Sequence, residues 1–372
     1  MSTPIRGGRY RLGRASITGI TTLCALGACR EPAPRHHARH APGWIPAHFP
    51  SPPDEPLRNT RTPAGIELGE RLFHDPILSR SKTVACSTCH EPSLAFTDGV
   101  ARSTAGASGH PLTRNAPALT NLAWGTAFLW DGGARDLESQ AIGPLTHPDE
   151  RGADLAELTH RLGRDPSYRA AFGEAFEAET IESAHVVRAI AQFERSIVSA
   201  SSRYDRFVDG LAELSPLETR GRLLFESSQC AVCHLPPLFT DWAFHNNGLD
   251  ESFSDREDGV LLGRYRITHD RDDIGKFKTP TLRNVARTAP YMHDGRIETL
   301  KGVLDHYDSE LVDSPTLSPI LQAAGTIGIP LRDDEKAAII AFLRTLTDDD
   351  LLDDSAADTE AVREHPRGFT PQ

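Results

Sequence analysis

The chain of 372 residues is poor in the residue types and patterns that mark several classes of protein. It has only two methionines and six cysteines. Its net charge of −12 comes without any basic stripe, which argues against nucleic acid as a partner. No stretch alternates apolar and polar residues for long enough to build a sizeable sheet. The sequence therefore predicts a mostly helical protein, and its length suits about two domains.

Four of the six cysteines belong to two copies of the pattern Cys-x-x-Cys-His. The copies are Cys86, Cys89 and His90, and then Cys230, Cys233 and His234. This is the attachment sequence for c-type haem, in which two thiols form thioethers to one porphyrin and the histidine binds the iron. A redox dithiol, a zinc half-site or a disulfide needs no histidine there, and zinc ribbons hold their pairs about 15–20 residues apart. The sequence predicts two covalently bound haem c groups.

Residues 1–28 have the pattern of an export signal, with a basic start and an apolar stretch too short to span a bilayer permanently. Leu26-Gly27-Ala28-Cys29 resembles a bacterial lipoprotein signal, which would leave a lipid anchor on Cys29. An ordinary cleaved signal is the alternative. Both predict a periplasmic protein, in agreement with the attachment of c-type haem outside the cytoplasmic membrane. Residues 29–61, rich in proline and histidine, are expected to form an extended, solvated linker.

From residue 62 onward, two copies of one helical unit follow each other. Pro63 suits the first turn of a helix before the first haem pattern, and Ser215 begins a capping box before the second. Both copies carry Gly-x-x-Leu-Phe before the pattern, Phe-Thr-Asp after it, and Asp-Gly-x4-Leu later. The further pair Arg114-Asn115 is matched here with Arg283-Asn284. The expected fold is all-α, with two cytochrome c-like haem domains and long loops, related by internal duplication.

The expected boundaries follow from these copies. The N-terminal haem domain is assigned to 62–213, the C-terminal haem domain to 214–347, and an acidic tail to 348–372. A helix over 181–198 is expected to join the halves, and one over 333–346 to close the fold. The tail is expected to be disordered, because it is acidic and has few apolar residues.

The ligand on the second face of each iron decides what a haem protein can do. Met or His there gives an electron carrier, whereas an open face with acid–base groups permits peroxide activation. Splitting peroxide requires a group that moves a proton and a donor that stabilises the departing hydroxide. Trp130, Gln140 and Glu150 supply an aromatic ring, an amide and a carboxylate. Each of these residues taken alone is also common in cores or on surfaces.

Longer motifs make the pattern specific. They are Arg114-Asn115-Ala116-Pro117, Trp130-Asp131-Gly132, Thr279–Val285 and Ala289–Gly295. With them, roughly Gly65 to Thr347 resembles the bacterial di-haem cytochrome c peroxidase/MauG family. The resemblance implies an oxidoreductase that reduces hydrogen peroxide at the first haem. Electrons would come from a small periplasmic cytochrome c or cupredoxin and pass through the second haem.

The resemblance also implies roles for individual residues. Gln140 and Glu150 would line the distal pocket of the first haem, with Glu150 as the acid–base catalyst, and Trp130 would lie between the haems and carry electrons. A calcium ion would be held by the Asn115 side chain and by the carbonyls of Thr288 and Pro290, oxygen ligands that suit a hard cation.

The second haem distinguishes two branches of the family. Peroxidases proper place Met seven residues after the Leu of Asp-Gly-x4-Leu, and MauG-like members place Tyr. Counting seven from Leu300 gives Tyr307, which would bind the second iron as a phenolate; a merely packed aromatic is the alternative. Two departures from the family are Gly133, where Arg is usual, and Arg151, where Met is common. No histidine matches the removable distal ligand of the peroxidases, so the first haem is expected to stay open.

Three functions follow as hypotheses. The first is peroxide reduction, and the second is MauG-like oxidative modification of a partner protein through a high-valent state shared by both haems. The third is a di-haem electron carrier without catalysis, which requires strong ligands on both faces of both irons. A high-spin signal in the oxidised protein would exclude the carrier.

Overall fold

A computed structural model of the chain describes residues 46–253 and 260–353. The signal segment 1–28, the lipid-anchor residue Cys29 and the tail beyond residue 353 lie outside the described residues. Within them, no helix is long and apolar enough to cross a membrane.

The described chain is mostly helical, as expected. The helices are α1 (Pro63–His74), α2 (Leu137–Thr146), α3 (Leu155–Arg164), α4 (Pro166–Phe176), α5 (Ser183–Ser196), α6 (Arg203–Val208), α7 (Pro216–Ser227), α8 (Cys230–Cys233), α9 (Tyr265–Thr268), α10 (Leu300–Asp305) and α11 (Asp333–Arg344). A two-residue antiparallel pair, β1 (Phe244–His245) with β2 (Phe277–Lys278), is the sheet of the described part. Long loops with short 3₁₀ turns connect these elements, including one turn at Cys86–Thr88.

The helices before the two haem patterns begin where capping predicts. The Thr62 hydroxyl accepts a hydrogen bond from the Gly65 amide, and Pro63 takes the first helical position of α1. Ser215 and Glu218 form a reciprocal capping box at the start of α7. Each helix therefore starts at a fixed point ahead of its haem pattern.

The first core forms around α1 and α5. The two helices approach so closely that a Cβ added to Gly69 would collide with the carbonyl oxygen of Ala189. Phe73 of α1 packs on Phe193 of α5 and on Phe96, which follows the first haem pattern. Helix α5, in the segment 181–198 that is expected to join the halves, is buried in this first core. Residues 197–202 then lead from α5 to α6.

The second core repeats this arrangement with α7 and α11. A Cβ on Gly221 would collide with the carbonyl oxygen of Ala338. Phe225 of α7 packs on Phe342 of α11 and on Phe239, which follows the second haem pattern. The residues of this core begin with α6, ahead of the expected boundary at 213/214, since Tyr204 contacts Phe239 and Phe342.

One of the expected correspondences is in the wrong register. Asn121 and Asn284 both have φ 61° and both precede a 3₁₀ turn. The Asn121 amide donates to the carbonyl of Ile197 just after α5, and the Asn284 amide to the carbonyl of Leu346 just after α11. Asn284 therefore corresponds to Asn121, and the pairing of Arg114-Asn115 with Arg283-Asn284 is wrong.

Two terminal segments are more ordered than expected. In the presumed linker, Phe49 is buried against Trp124, whose Nε1 donates to the carbonyl of Pro50 at 2.7 Å. The expectation of a solvated linker is therefore wrong at Phe49, whereas Leu57 in the same stretch is 99% exposed. Asp348 is buried and accepts hydrogen bonds from the amides of Ala200 and Ser201 at 2.8 and 2.9 Å. Residues 348–353 are consequently packed, contrary to the expected disorder.

Candidate functional site

The first haem pattern lies where α1 and α5 meet the loop after α1. Cys86 is buried and Cys89 half-buried, and both are free thiols. The Nδ1 atom of His90 lies 2.8 Å from the carbonyl oxygen of Phe96. Because a carbonyl only accepts, Nδ1 carries the proton and Nε2 carries the lone pair, which is the atom a haem iron would bind. Burial lowers the pKa of His90 to about 4, so the ring stays neutral and suited to bind metal.

The second haem pattern has the same construction. Cys230 and Cys233 are half-buried free thiols at the two ends of the short helix α8. The Nδ1 atom of His234 lies 3.1 Å from the carbonyl oxygen of Phe239, the residue equivalent to Phe96. Burial lowers the pKa of His234 as well, which again favours the neutral ring. Both sites therefore present two unpaired thiols and one oriented imidazole, the donor set of c-type haem.

A single cavity runs from the second haem pattern toward the first half. Among the predicted site residues its lining includes Cys230, Cys233, His234, Tyr307, Trp130, Gln140, Asn115, Thr288 and Pro290. Most of the other lining side chains are apolar, as a porphyrin would require. Cys86, Cys89, His90 and Glu150 are not part of this lining. The structure thus brings the second haem residues together with Trp130 and the three calcium candidates.

Tyr307 lies in an unusual stretch of backbone. After α10 the chain continues as a π-helical turn over His306–Glu310. Turns of this kind occur frequently at functional sites, because the extra residue redirects a side chain. The His306 Nε2 donates to the carbonyl of Asn247 at 2.9 Å, which fastens the turn to the opposite wall of the cavity. Burial raises the pKa of Tyr307 to about 12, while the Asn247 side chain opposes that rise.

The equivalent position in the first half carries proline. The bridges Phe128–Ala134 and Tyr291–Ile297 match each other, and α2 and α10 both begin at the following leucine. In this register Tyr307 corresponds to Pro144, which lies inside α2. Proline has no side-chain atom that can bind a metal. The first site therefore lacks a protein ligand where the second site has a phenol.

Trp130 is held between the two halves by its own polar atoms. Its Nε1 donates to the carbonyl of Asn115 at 2.8 Å, and its carbonyl accepts from the amide of Lys278 at 2.8 Å. The Asn115 amide in turn donates to the carbonyl of His293, the residue equivalent to Trp130. The indole is thereby fixed in orientation beside the second haem site.

Asn115 also bears on the predicted calcium site. Its Nδ2 donates to the carbonyls of Val100 and Ala101 at 2.9 and 3.3 Å. The amide nitrogen is thus turned toward the protein, which leaves Oδ1 as the atom available to a cation. Thr288 and Pro290 line the same cavity. An amide oxygen with two carbonyls fits a hard cation, although no carboxylate is part of the set.

Gln140 and Glu150 lie on opposite sides of Pro144 in the sequence. The Gln140 Oε1 is buried without a hydrogen-bond partner and belongs to a side chain that lines the cavity. Burial raises the pKa of Glu150, against the charge of the neighbouring Arg151. The charge of Glu150 also contributes to the raised pKa of Cys89, so the carboxyl lies near the first haem pattern. A raised pKa makes a carboxyl a better proton acceptor, which suits a group that moves protons.

Sequence reasoning missed one ionisable residue of the first site. Glu194 on α5 is buried, and burial raises its pKa to about 8. It is one of the groups that raise the pKa of Cys86. A glutamate within an amphipathic helix gives no signal of this kind, since most such residues face solvent.

Two oriented imidazoles, each with a pair of free thiols and an adjoining apolar wall, define a c-type cytochrome built for two haems. Residues 63–213 match the family model described as di-haem cytochrome c peroxidase. The chain is 40% identical over 296 residues to the methylamine utilization protein MauG of Methylorubrum extorquens, covering 78% of this chain and 80% of that protein. The chain belongs to the di-haem cytochrome c peroxidase/MauG family.

Other relatives come from both branches of this family. The cytochrome c551 peroxidase of Nitrosomonas europaea is 32% identical over 287 residues, covering 76% of this chain and 80% of that protein. The crystal structure of a MauG-like protein associated with microbial copper homeostasis aligns with a TM-score of 0.74 and 36% identity. That alignment covers 83% of this chain and 96% of the other. The family resemblance drawn from the sequence is confirmed, and the family implies two c-type haems.

Proposed function

We propose that this protein reduces hydrogen peroxide at its first haem, with electrons relayed from the second. The observation that carries the proposal is the difference between Pro144 and Tyr307 at equivalent positions. One site has a side chain able to bind the iron on its second face, and the other has none. Haem bound at an open site supplies the metal that accepts peroxide and the electrons that cleave its O–O bond.

The chain's own contribution to this chemistry is to accept a proton from the bound peroxide and to return it. Glu150 would take a proton from the oxygen next to the metal and return it to the departing oxygen, for which its raised pKa is suited. The Gln140 side chain would hold the peroxide in place by hydrogen bonding. Its buried and unpartnered Oε1 is consistent with a role toward a bound molecule.

Electrons would enter at the second haem and leave it past Trp130. Val232 and Leu235 flank Cys233 and are each 57% exposed, so they form an apolar rim beside the second haem pattern. Such a rim suits brief docking of a small periplasmic electron donor, a cytochrome c or a cupredoxin. The matched packing of α1 on α5 and of α7 on α11 supports two haem domains that arose by duplication, with the boundary between the expected domains 62–213 and 214–347 moved to the start of α6.

Tyr307 favours a second candidate function. A phenolate ligand stabilises oxidised iron and would let oxidising equivalents spread over both haems. The protein would then oxidise side chains of a partner protein, as the MauG-like resemblance implies. Trp130 would carry the oxidising equivalents from one haem to the other. The same cavity would hold calcium at Asn115, Thr288 and Pro290 and so fasten Trp130 between the halves.

Glu150→Gln tests the first proposal. The amide keeps the shape of the side chain but cannot take up a proton, so peroxide consumption should slow by about 10²–10⁴-fold. Both haems should stay attached, as measured by the haem content of the purified protein. Glu174→Gln on the exposed face of α4 is the matched control and should leave turnover unchanged. Unchanged turnover in Glu150→Gln would remove the residue from the mechanism.

A spectrum of the oxidised protein separates the enzyme from an electron carrier. An open first iron gives a high-spin signal, and an iron with strong ligands on both faces does not. A purely low-spin spectrum, at rest and after partial reduction, would favour the carrier.

A further inference from the structure

Two buried ionisable side chains at the first site have no role in the function proposed above. Glu194 is 5% exposed, and its Oε2 has no hydrogen-bond partner. Arg151 is also 5% exposed, and its Nε has none. Buried polar atoms in folded proteins are nearly always paired, so each exception requires an explanation.

The repeat of the two halves indicates what Glu194 faces. Ala189 and Phe193 of α5 correspond to Ala338 and Phe342 of α11, since each pair packs on the equivalent glycine. In that register Glu194 corresponds to Leu343. Leu343 lines the cavity of the second haem site together with Cys230 and His234. By this correspondence, Glu194 occupies the position in the first half from which a side chain faces the first haem.

Electrostatics agrees with this placement. The Glu194 carboxylate raises the pKa of Cys86, and the Arg151 guanidinium lowers it through its charge and a hydrogen bond. Arg151 also opposes the rise of the pKa that burial causes in both Glu150 and Glu194. The buried Arg151 guanidinium therefore stands among the buried Glu194 carboxyl, the half-buried Glu150 carboxyl and the first haem attachment.

The count of charges determines the protonation of the site. A buried charge without a counter-charge is costly. Arg195 already donates two hydrogen bonds to Glu138, which leaves Arg151 to face both Glu150 and Glu194. Burial raises the pKa of both acids against this cation, that of Glu194 to about 8. The groups that act on Glu194 are Arg195 on its own helix, Arg151 after α2, and Glu138 on α2. On α1, His74 lies beside Phe193, with 6.5 Å between the ring centres.

We propose that Glu194 is a proton-binding site coupled to the redox state of the first haem. When that haem gains one electron, the Glu194 carboxylate gains one proton from solvent, and it releases the proton when the electron leaves. The electron comes from the donor of the proposed function, and the net charge of the site stays constant. Arg151 is the positioning residue that sets the pH at which this exchange occurs. The inference rests on the first haem binding as proposed, but not on peroxide turnover.

The sign of the coupling follows from linkage. Added negative charge on the haem repels the nearby carboxylate and disfavours its ionised form, so reduction raises the affinity of Glu194 for a proton. The midpoint potential of the first haem should consequently fall as the pH rises through the pKa that Glu194 has in the oxidised protein. Below that pH the carboxyl is protonated in both redox states and the potential should be level.

The test is a redox titration of the full di-haem protein at an electrode, without peroxide, from neutral to alkaline pH. In Glu194→Gln the midpoint potential of the first haem should no longer depend on pH. The same should hold in Glu194→Leu, which introduces the residue found at the equivalent position of the second half. Glu194→Asp should retain the slope of the potential against pH. In Arg151→Met the slope should move to higher pH, because the cation that lowers the carboxyl's pKa is gone.

The second haem of each variant is the internal control, since its equivalent residue is Leu343. Its potential should be unchanged, and the haem content should stay at two per chain. A first-haem slope that survives in Glu194→Gln with both haems bound would overturn the proposal. A slope lost from both haems alike would also overturn it, because the effect would then be structural. Failure of the proposed function would appear separately, as unchanged peroxide turnover in Glu150→Gln.

Discussion

Replacing Asp205 with alanine should destabilise the second half strongly. The Arg283 side chain is fully buried, and its two terminal nitrogens donate to the two oxygens of Asp205 at 2.8 and 2.7 Å. Removing one partner of a buried pair costs about 3–5 kcal/mol, because the remaining charge has no counter-charge. What remains for Arg283 is one hydrogen bond to the carbonyl of Pro237 and the faces of Phe49 and Phe239. At about 2–4 °C per kcal/mol for a protein of this size, the melting temperature should fall by about 6–20 °C.

Thermal unfolding followed by circular dichroism, with both haems attached, measures this loss. Asp209→Ala is the matched control, because this carboxylate is 44% exposed and only touches His48 at 3.4 Å. It should change the free energy of unfolding by less than about 0.5 kcal/mol. In the double variant Asp205→Ala with Arg283→Met, much of the loss should be recovered, since no buried charge is left unpaired. A loss below about 1 kcal/mol for Asp205→Ala, or strictly additive effects, would refute the reasoning.

The same pair sets a pH dependence. Burial alone would raise the pKa of Asp205, but the hydrogen bonds and charge of Arg283 outweigh it and lower the pKa below its usual value. A carboxyl with a lowered folded-state pKa stabilises the protein above the unfolded-state pKa, about 3.9. The stabilisation should therefore be complete at neutral pH and disappear as the pH falls below about 4.

Three further outcomes are expected. Gly69→Ala should destabilise the first haem half and Gly221→Ala the second, each by about 1–3 kcal/mol or more, because the new Cβ collides with the facing helix. Haem content and thermal unfolding measure this loss. Equal destabilisation of both halves in either variant would contradict the prediction. Tyr307→Phe should raise the midpoint potential of the second haem, since a phenolate ligand stabilises oxidised iron, and an unchanged potential would mean that the ring is only packed. Removing calcium with a chelator should slow electron exchange between the haems if Asn115 holds the ion beside Trp130. Elemental analysis measures the bound calcium. Purified protein that contains no calcium would exclude the site.

The parts of this protein that the sequence predicts well are those with short, rigid local signals. Cys-x-x-Cys-His fixes the identity of the cofactor, and the caps at Thr62 and Ser215 fix where the helices before it begin. The count of seven residues from Leu300 reaches Tyr307, which lines the cavity of the second haem site, because the chain stays helical from α10 into the π-helical turn. Each of these inferences depends only on neighbouring residues.

Contacts between distant segments could not be predicted in the same way. Asn115 and Asn121 are both followed by small or apolar residues, and nothing local shows that Asn121 is the partner of Asn284. Only the hydrogen bonds to the ends of α5 and α11 decide it. Glu194 is likewise recognised through its burial, which depends on helices far away in the sequence. The burial of Phe49 arises from packing on Trp124, for which proline-rich composition gives no indication.

Ser199 occupies a peculiar position in this fold. Its amide donates to the Asn121 side chain at 2.9 Å, its carbonyl accepts from the same side chain at 3.1 Å, and its hydroxyl accepts from Asn284 at 3.0 Å. Ser199 thus forms hydrogen bonds with the equivalent asparagine of each haem half. Because electron tunnelling rates decay exponentially with the distance between redox centres, hydrogen bonds that fix the spacing of the two haem halves would also fix the rate of electron transfer between bound haems.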